Sequence, residues 1–596
     1  MKTALATVSP QVLAVPPGGM PRLPANCAAG PLAVASSVKV DPDARCAVPK
    51  LAHVTSTGPA GFRGPVVFCL AAVMGIALLL RTQHLSDVTM YFDECCSWKI
   101  SQFPWNEMLD AVSRDAHPPV YYVLLKGLGA SVGDSPRVIR GFSVVFGLAT
   151  VLAAFWFVRT ALADQLRPCD ADVPEATAHW DDGASTNSPR VVHRDFTAVL
   201  AALLVATSAL QIEVSLQARP YTLGTFLTLV SATFLLRGLR PAGPAADWIA
   251  FVVTATLLSL THYYCLFTVG ALFLYGAGVL GMRFWRMGWN PPVKRPLLGL
   301  GLSAWGMQLV WLSWLPVFQF QHGRSTPQLW MQPLELNAFF ANCWMALAGG
   351  KTLAAPDHWA WTAFAAWVAA VLALLVSATR GGRLAALCAG LPLLGVALYS
   401  VAVRNILGVK YLAFAQVFLL IAWAMLAGRI PCRSGRLAVT IGLLVWSEFW
   451  CWMFTETRSW QATLPGVSGA VEYLEQRRLP EEPVIVASPF IFVIAQKYSQ
   501  HPEGIYVKYS GDHRGDMLGG PPLLESEYRD ISRHFHGPGD RAWGIDVFEL
   551  FGPESRFEAR PPGEWVLVNQ QGFREAHGLP CLVAVREYRR QSASHE

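Results

Sequence analysis

The stretch PVVFCLAAVMGIALLL, Pro65–Leu80, runs sixteen residues without a charge. About 20 residues rising about 1.5 Å each cross the hydrocarbon core of a bilayer, so a run of this kind predicts a membrane helix. Working outward from it, ten further apolar spans follow, giving eleven at 64–81, 137–162, 195–213, 220–238, 247–263, 264–283, 296–318, 359–378, 384–403, 409–427 and 437–454. Composition agrees. The 596 residues are 53% hydrophobic and 15% charged, below the roughly 25% charge of ordinary soluble domains, with a mean hydropathy of +0.35. Many such spans require a polytopic membrane protein. A net charge of +6 is modest for this size and carries no nucleic-acid inference. Twelve cysteines are scattered without C-x-x-C spacing, which fits neither a disulfide framework nor a zinc pattern. The adjacent Cys95 and Cys96 read as small side chains in a loop.

Basic residues between spans set the expected orientation. RGLRP (237–241), MRFWRMGWNPPVKR (282–295), TRGGR (379–383) and GRIPCRSGR (428–436) all fall on one side when eleven spans are counted. If residues 1–63, rich in Pro, Gly, Ala and Val, form a disordered cytoplasmic tail, these loops are cytoplasmic too, as is the polar insert at 164–194. The opposite, outer side then receives YFDECC (Tyr91–Cys96), LQARPY (Leu216–Tyr221), THYY (Thr261–Tyr264), a long loop at 319–358 and RNILGVKY (Arg404–Tyr411). It also receives residues 456–596, of ordinary soluble composition. There PVIVAS (483–488) and EWVLVN (564–569) read as short buried strands, and VSGAVEYLEQRRL (467–479) as an amphipathic helix. A small α/β domain is expected. GDHRGDMLGG (511–520) has glycines without Walker spacing.

Several residues are hard to explain as membrane scaffold: Asp93, Glu94, Asp115, His117, Glu213, Arg219, His262, Arg404 and Lys410. Taken singly, each has a plain structural account, such as a solvated loop, a proline-led helix start or a snorkelling anchor. Together they gather near the outer ends of the spans, with acids from the first loop and bases from later turns. Ionisable groups near a membrane are costly unless paired or wet, so they mark candidate sites. The division suits one chemistry. A carboxylate takes the proton of an attacking hydroxyl, while fixed cations stabilise a departing lipid phosphate. The activated sugar–phosphate bond supplies the driving force, and no ATP is needed.

The series Asp93-Glu94, DAHPPVYYVLL (115–125), RVIRGFSVVFG (137–147), LQARPYTL (216–223) and THYYCLF (261–267) resembles the polyprenol-phosphate-sugar-dependent glycosyltransferases of the GT-C membrane fold. Within them it looks like the branch related to protein O-mannosyltransferases and to the aminoarabinose transferase of lipid A. The resemblance covers residues 64–455. It implies that Asp93 is the catalytic base, with Glu94 assisting or orienting it. It further places Asp115 and His117 at the sugar and phosphate and Arg219 and Tyr221 near the lipid phosphate; His262, Lys410 and Tyr411, from the cluster at the outer span ends, complete the expected substrate-binding set. Many relatives carry Arg-Tyr where this chain has Lys410-Tyr411; lysine keeps the charge but not the bidentate fork. The family generally inverts the anomeric configuration, and no metal or other cofactor is implied.

The expectation is therefore an α-helical polytopic membrane protein of GT-C architecture: a tail (1–63), about eleven membrane helices (64–455) and a small extracytoplasmic α/β domain (456–596). It would transfer a sugar from a polyprenyl-phosphate donor to a hydroxyl of a lipid, polysaccharide or protein acceptor. Its setting would be the bacterial inner membrane, with the site facing the periplasm or exterior. A transporter or lipid flippase is the main rival. It would place its charges near the bilayer midplane, often on broken helices in repeated halves, and no internal repeat is visible. A second rival is a membrane-anchored binding protein whose function resides in the C-terminal domain.

Overall fold

The computed structural model describes residues 64–596 except 164–188, 242, 324–332, 349–359, 377–378, 509–519, 536–538, 579 and 592–596. The expected tail, most of the polar insert and nearly all of GDHRGDMLGG lie outside the described residues. What is described is an α-helical membrane domain joined to a mixed α/β sheet.

Every one of the eleven apolar spans falls on helix. They are α1 (Gly64–Thr82), α5 (Pro136–Ala163), α6 (Pro189–Thr207) with α7 (Ala209–Ser215), α8 (Tyr221–Gly238), α9 (Ala245–Ser259), α10 (Cys265–Met287), α11 (Pro291–Gly323), α13 (Ala360–Leu375), α14 (Arg380–Ala402), α15 (Ala413–Gly428, preceded by a 3-10 turn Val409–Leu412) and α16 (Arg433–Ala462). By length and composition, seven of these can cross a membrane, or eight with the bent pair α6–α7. The remaining three, α8, α9 and α13, are 18, 15 and 16 residues long. Length therefore supports seven or eight crossings and does not establish eleven.

Packing follows the rule for helices in lipid, where small residues let backbones approach. Gly224 lies under Phe414, Gly395 under Phe267 and Gly381 against Ala161, each too close for a Cβ. The central helix α15 is buried on nearly every face, whereas α1, α11 and α16 expose apolar side chains such as Phe68, Leu302 and Trp452 outward. The basic loops meet at one end: Arg283 donates to the Leu239 carbonyl (2.6 Å), Tyr275 to that of Arg380 (2.8 Å), and Arg429 to Thr379 (2.9 Å).

Between α6 and α7 the chain bends by 60° at Ser208. A break in an apolar setting frees carbonyls that must find donors. Arg81, fully buried at the end of α1, provides them: it donates to Ala206 O (2.7 Å), Val205 O (3.1 Å) and Ser215 Oγ (3.3 Å). Gln416 adds a bond to Ser208 Oγ (2.8 Å). The bend lets α7 carry the LQARPY turn towards the site.

Several expectations are corrected. The segment between the first two spans is not an open loop but three helices, α2 (Phe92–Gln102), α3 (Trp105–Arg114) and α4 (Val120–Val132). Cys95 and Cys96 accordingly sit on a helix, buried and free. The 319–358 loop contains the end of α11 and a further helix, α12 (Leu336–Leu347). These helices were invisible to a span search because they are short and polar or flanked by proline.

The C-terminal part holds α17 (Gly466–Glu475), α18 (Pro489–Tyr498), α19 (Ile531–Phe535) and strands β1 (Val484–Val486), β2 (Ile505–Lys508), β3 (Tyr528–Arg529), β4 (Arg541–Phe548), β5 (Arg556–Phe557), β6 (Trp565–Glu575) and β7 (Cys581–Arg590). The sheet order is β3-β2-β1-β4-β7-β6, parallel up to β4 and antiparallel beyond it, with β5 also pairing β4. VIV is a buried strand as expected, but EWVLVN belongs to an eleven-residue edge strand that is mostly exposed. The boundary expected at 455/456 falls inside α16, which runs unbroken into this region.

Gly147 on α5 marks where the bend packs: a Cβ there would lie 2.4 Å from Ser215 Oγ and 3.1 Å from Arg81 Nε. Gly147→Ala should cost about 1–3 kcal/mol of stability through overpacking. A lowered thermal unfolding midpoint in detergent, partly restored by adding Ser215→Gly, is the expected result.

Candidate active site

Consecutive residues on a helix point about 100° apart, so Asp93 and Glu94 in the first turn of α2 cannot share a direction. Glu94 turns inward and is fully buried. It accepts from Arg140 Nε (2.8 Å) and Nη2 (2.7 Å), from the Ala218 amide (2.8 Å) and from the Tyr91 amide (3.1 Å) at the start of its own helix. Arg140, buried in α5, spends its other donors on the carbonyls of Leu85, Val88 and Thr89 (2.7–3.2 Å). One ion pair thus ties together α2, α5, the segment leading into α2 and the LQARPY turn.

Asp93 faces the other way, towards the cations. Its Oδ2 accepts from Lys410 Nζ at 2.6 Å. Arg219 Nη1 donates to the Asp93 carbonyl (3.1 Å) and to Ser97 Oγ (2.8 Å). Its Nη2 lies 3.1 Å from His117 Nε2. His117 Nδ1 in turn lies 3.2 Å from Asp115 Oδ2, which also accepts from the Tyr122 hydroxyl. Burial pushes the Asp93 carboxyl up, but Lys410 and then Arg219 outweigh it and hold the group well below the usual carboxylate range. Burial likewise opposes ionisation of Asp115, yet His117 and Arg219 bring it down to about 2. His117 is lowered, first by burial and then by Arg219. A neutral His117 that donates from Nδ1 to Asp115 and accepts at Nε2 from Arg219 satisfies both ring nitrogens.

Aromatic rings wall the cluster. The His262 ring lies 5.0 Å from His117, 5.7 Å from Tyr221 and 5.1 Å from Tyr411, and Tyr411 stacks on Tyr264 at 4.3 Å. Lys410 Nζ sits 5.4 Å from the centre of the Tyr221 ring. His262 Nδ1 accepts from the Tyr264 amide (3.2 Å), which leaves the proton on Nε2. Among the described residues, four buried donors here have no acceptor: His262 Nε2, the Tyr221 and Tyr264 hydroxyls, and Arg219 Nε. Buried donors of this kind are rare, and a set of them around a lysine suits a bound anion.

Asp93, Asp115, His117, Arg219, Tyr221, His262, Lys410 and Tyr411 therefore come together. Glu94 does not join the open face; it anchors from behind. Glu213 stands one step away, 3.5 Å from Gln217, which accepts the Tyr91 hydroxyl (3.1 Å). Arg404, half-buried just beyond α14, is within electrostatic reach of Tyr264. Sequence reading overlooked the roles of Arg140, Ser97 and Tyr122. Arg140 had a signal, since a guanidinium three residues into a predicted span needs a buried partner; Ser97 and Tyr122 had none. Among the described residues no group of three or more His, Cys, Asp and Glu could hold a metal ion.

No family model matches the chain, and neither does any curated protein sequence. Among solved structures, ArnT from Cupriavidus metallidurans in the apo state superposes with a TM-score of 0.50 at 12% identity, over 81% of this chain and 92% of that one. The chain has the GT-C fold. The same ArnT bound to undecaprenyl phosphate superposes at 0.47 and 12% identity, over 88% and 98% of the two chains. An archaeal oligosaccharyltransferase, AglB from Archaeoglobus fulgidus in complex with an inhibitory peptide and a dolichol-phosphate, gives 0.40 at 10% identity, over 74% and 64%. At these identities the likeness concerns architecture. On a GT-C frame, the cluster built from the α1–α5 and α7–α8 connections and the α14–α15 turn lies at the helix ends opposite the basic loops.

Removing one member of the Glu94–Arg140 pair strands a buried charge. Arg140→Met should destabilise the protein by about 3 kcal/mol or more. Thermal unfolding in detergent is expected to show this loss, with part of it recovered in Glu94→Gln/Arg140→Met.

Proposed function

We propose that this protein is a membrane glycosyltransferase that moves a sugar from a polyprenyl-phosphate donor to an acceptor hydroxyl at the outer face of the membrane. The observation that carries the reading is the 2.6 Å contact between Asp93 and Lys410 inside a cluster of unpartnered donors at one end of apolar helices. The fold is shared with ArnT, which has also been solved with undecaprenyl phosphate bound, and this agrees with such a donor.

In this reading the lipid tail stays in the bilayer and its phosphodiester lies among Lys410, Arg219, His262 and Tyr221. The acceptor oxygen attacks the anomeric carbon from the opposite face, and its proton passes to the Asp93 carboxylate. The bond between the anomeric carbon and the phosphate oxygen breaks, and the electron pair leaves on the phosphate, which becomes a dianionic monoester. Lys410 and Arg219 offset that added charge. A single displacement inverts the anomeric centre.

The lowered pKa of Asp93 keeps it ionised but makes it a weak base. Binding of the donor resolves this. A phosphate competes for Lys410, and as the ammonium turns to it, Asp93 loses the contact that lowered it and becomes more basic. Asp115 holds His117, and His117 holds Arg219, so the acid–imidazole–guanidinium chain orients a cation without neutralising it.

Turnover of a polyprenyl-phosphate sugar by the purified protein in nanodiscs is the decisive assay. Asp93→Asn should lower kcat by about 10²–10⁴, with the thermal midpoint retained. Lys410→Ala should raise the donor KM more than Lys410→Arg does. Wild-type turnover in Asp93→Asn would remove the base and with it this mechanism. Comparing glycans from cells with and without the gene by mass spectrometry would identify the sugar and the acceptor.

A further inference from the structure

The helix that carries Asp93 is not held by the membrane domain alone. Of its eleven residues, eight are buried, although it belongs to no membrane span. Much of what covers it comes from the C-terminal domain, chiefly α18, whose Phe490 and Phe492 lie against Phe92 and Lys99. In the sheet of that domain β2 lies on one side of β1 and β4 on the other, so the chain reverses direction beside β1. The crevice past the carboxyl ends of β1 and β4 is the position where open α/β sheets take ligands. Here it opens at Phe490, just after β1, and Phe551, just after β4, whose rings lie 5.3 Å apart. Phe92, the first residue of α2, packs edge-on against Phe490 at 4.7 Å. The edge of the domain suited to a ligand is occupied by the catalytic helix.

Two further contacts grip α2 at opposite ends. At its start, the β6–β7 turn presses on Tyr91: Gly578, at φ +75°, leaves so little room that a Cβ would lie 2.4 Å from the Tyr91 Cβ. Towards its other end, Lys99 makes a buried ion pair with Glu527 at 2.6 Å. Both contacts join the C-terminal domain to the α2 segment rather than lying within the domain.

We propose that the C-terminal α/β domain is the positioning element for Asp93, clamping α2 between the Gly578 turn and Glu527 so that the carboxylate is held at the cation cluster. The inference rests on the reading of Asp93 as the base. It assigns the domain a role in the rate of transfer rather than in recognising a separate ligand, and it makes Tyr91, Gly578, Lys99 and Glu527 positioning residues. A carboxylate displaced by about 1 Å at such a site loses on the order of 10²-fold in rate.

The test uses the full-length protein in nanodiscs, with donor kinetics and amide hydrogen exchange read on the same samples. Gly578→Ala should lower kcat by about tenfold or more, leave the donor KM unchanged, and raise exchange across residues 92–102. Glu527→Gln should shift the same two readouts in the same direction from the far end of the helix. Gly563→Ala is the control. It lies in the same domain with open space where its Cβ would fall and without a positive φ, so it should change neither. Faster exchange in α2 together with reduced kcat in both variants supports the clamp. Wild-type exchange and kcat in both variants, or faster exchange with undiminished kcat, would overturn it while leaving the transferase reading intact. A wild-type protein that turns over no lipid-linked sugar overturns that reading, and the positioning role falls with it.

Discussion

The buried pair of Glu94 and Arg140 is the constraint on which the site depends. Two charges without access to water are tolerable only when every lone pair and proton is matched, and here seven hydrogen bonds do the matching. Because the partners of the pair come from four different segments, satisfying it fixes where each of them lies. Satisfying Glu94 also fixes the rotation of α2, and that rotation sends Asp93 to the cations. The two adjacent acids thus have opposite electrostatic fates: one neutralised in place, the other facing a cluster with donors to spare.

A second buried guanidinium repeats the logic at the α6–α7 bend. Arg81 takes up the carbonyls that the break exposes, and α7 is thereby redirected towards the site. Charge inside this membrane domain therefore works as scaffold at Arg81 and at Arg140, among others, and as candidate chemistry in a third kind of place, where Lys410 and Arg219 meet Asp93. The difference lies in satisfaction. The first two guanidiniums are matched by carbonyls and a carboxylate. Among the described residues, the third group keeps Arg219 Nε, His262 Nε2 and two tyrosine hydroxyls unpartnered. Donors left over beside aromatic rings are what an anionic substrate group would complete.

Much of the frame was legible in sequence because lipid imposes a simple requirement. A chain that must hide its backbone polar groups forms helices, and apolar runs report them. All eleven runs fall on helices, although helix length and composition support only seven or eight crossings. What the runs did not report were α2, α3, α4 and α12, which are too short or too polar for the same test. Cys95 and Cys96 were misread for that reason: without α2, two small side chains look like loop residues, whereas they face a packed core. The edge strand β6 was misread in another way. WVLV has the composition of a buried strand, but burial depends on what covers the sheet, and nothing in those residues states that.

Sequence alone determined that the chain lies in a membrane, that its basic loops share one end, and that Asp93, His117, Arg219, His262 and Lys410 are ionisable groups set at span ends. Those are properties of composition and order, which act locally along the chain. Tertiary structure alone decided which acid faces the cations, which arginine is scaffold and which is spare, and that the C-terminal domain packs against the helix bearing Asp93. Such outcomes turn on partners between 46 and 428 residues apart, as with Arg140 and Glu94 or Lys99 and Glu527. The energy of a buried charge is set by its neighbours in space, and a linear sequence does not name them.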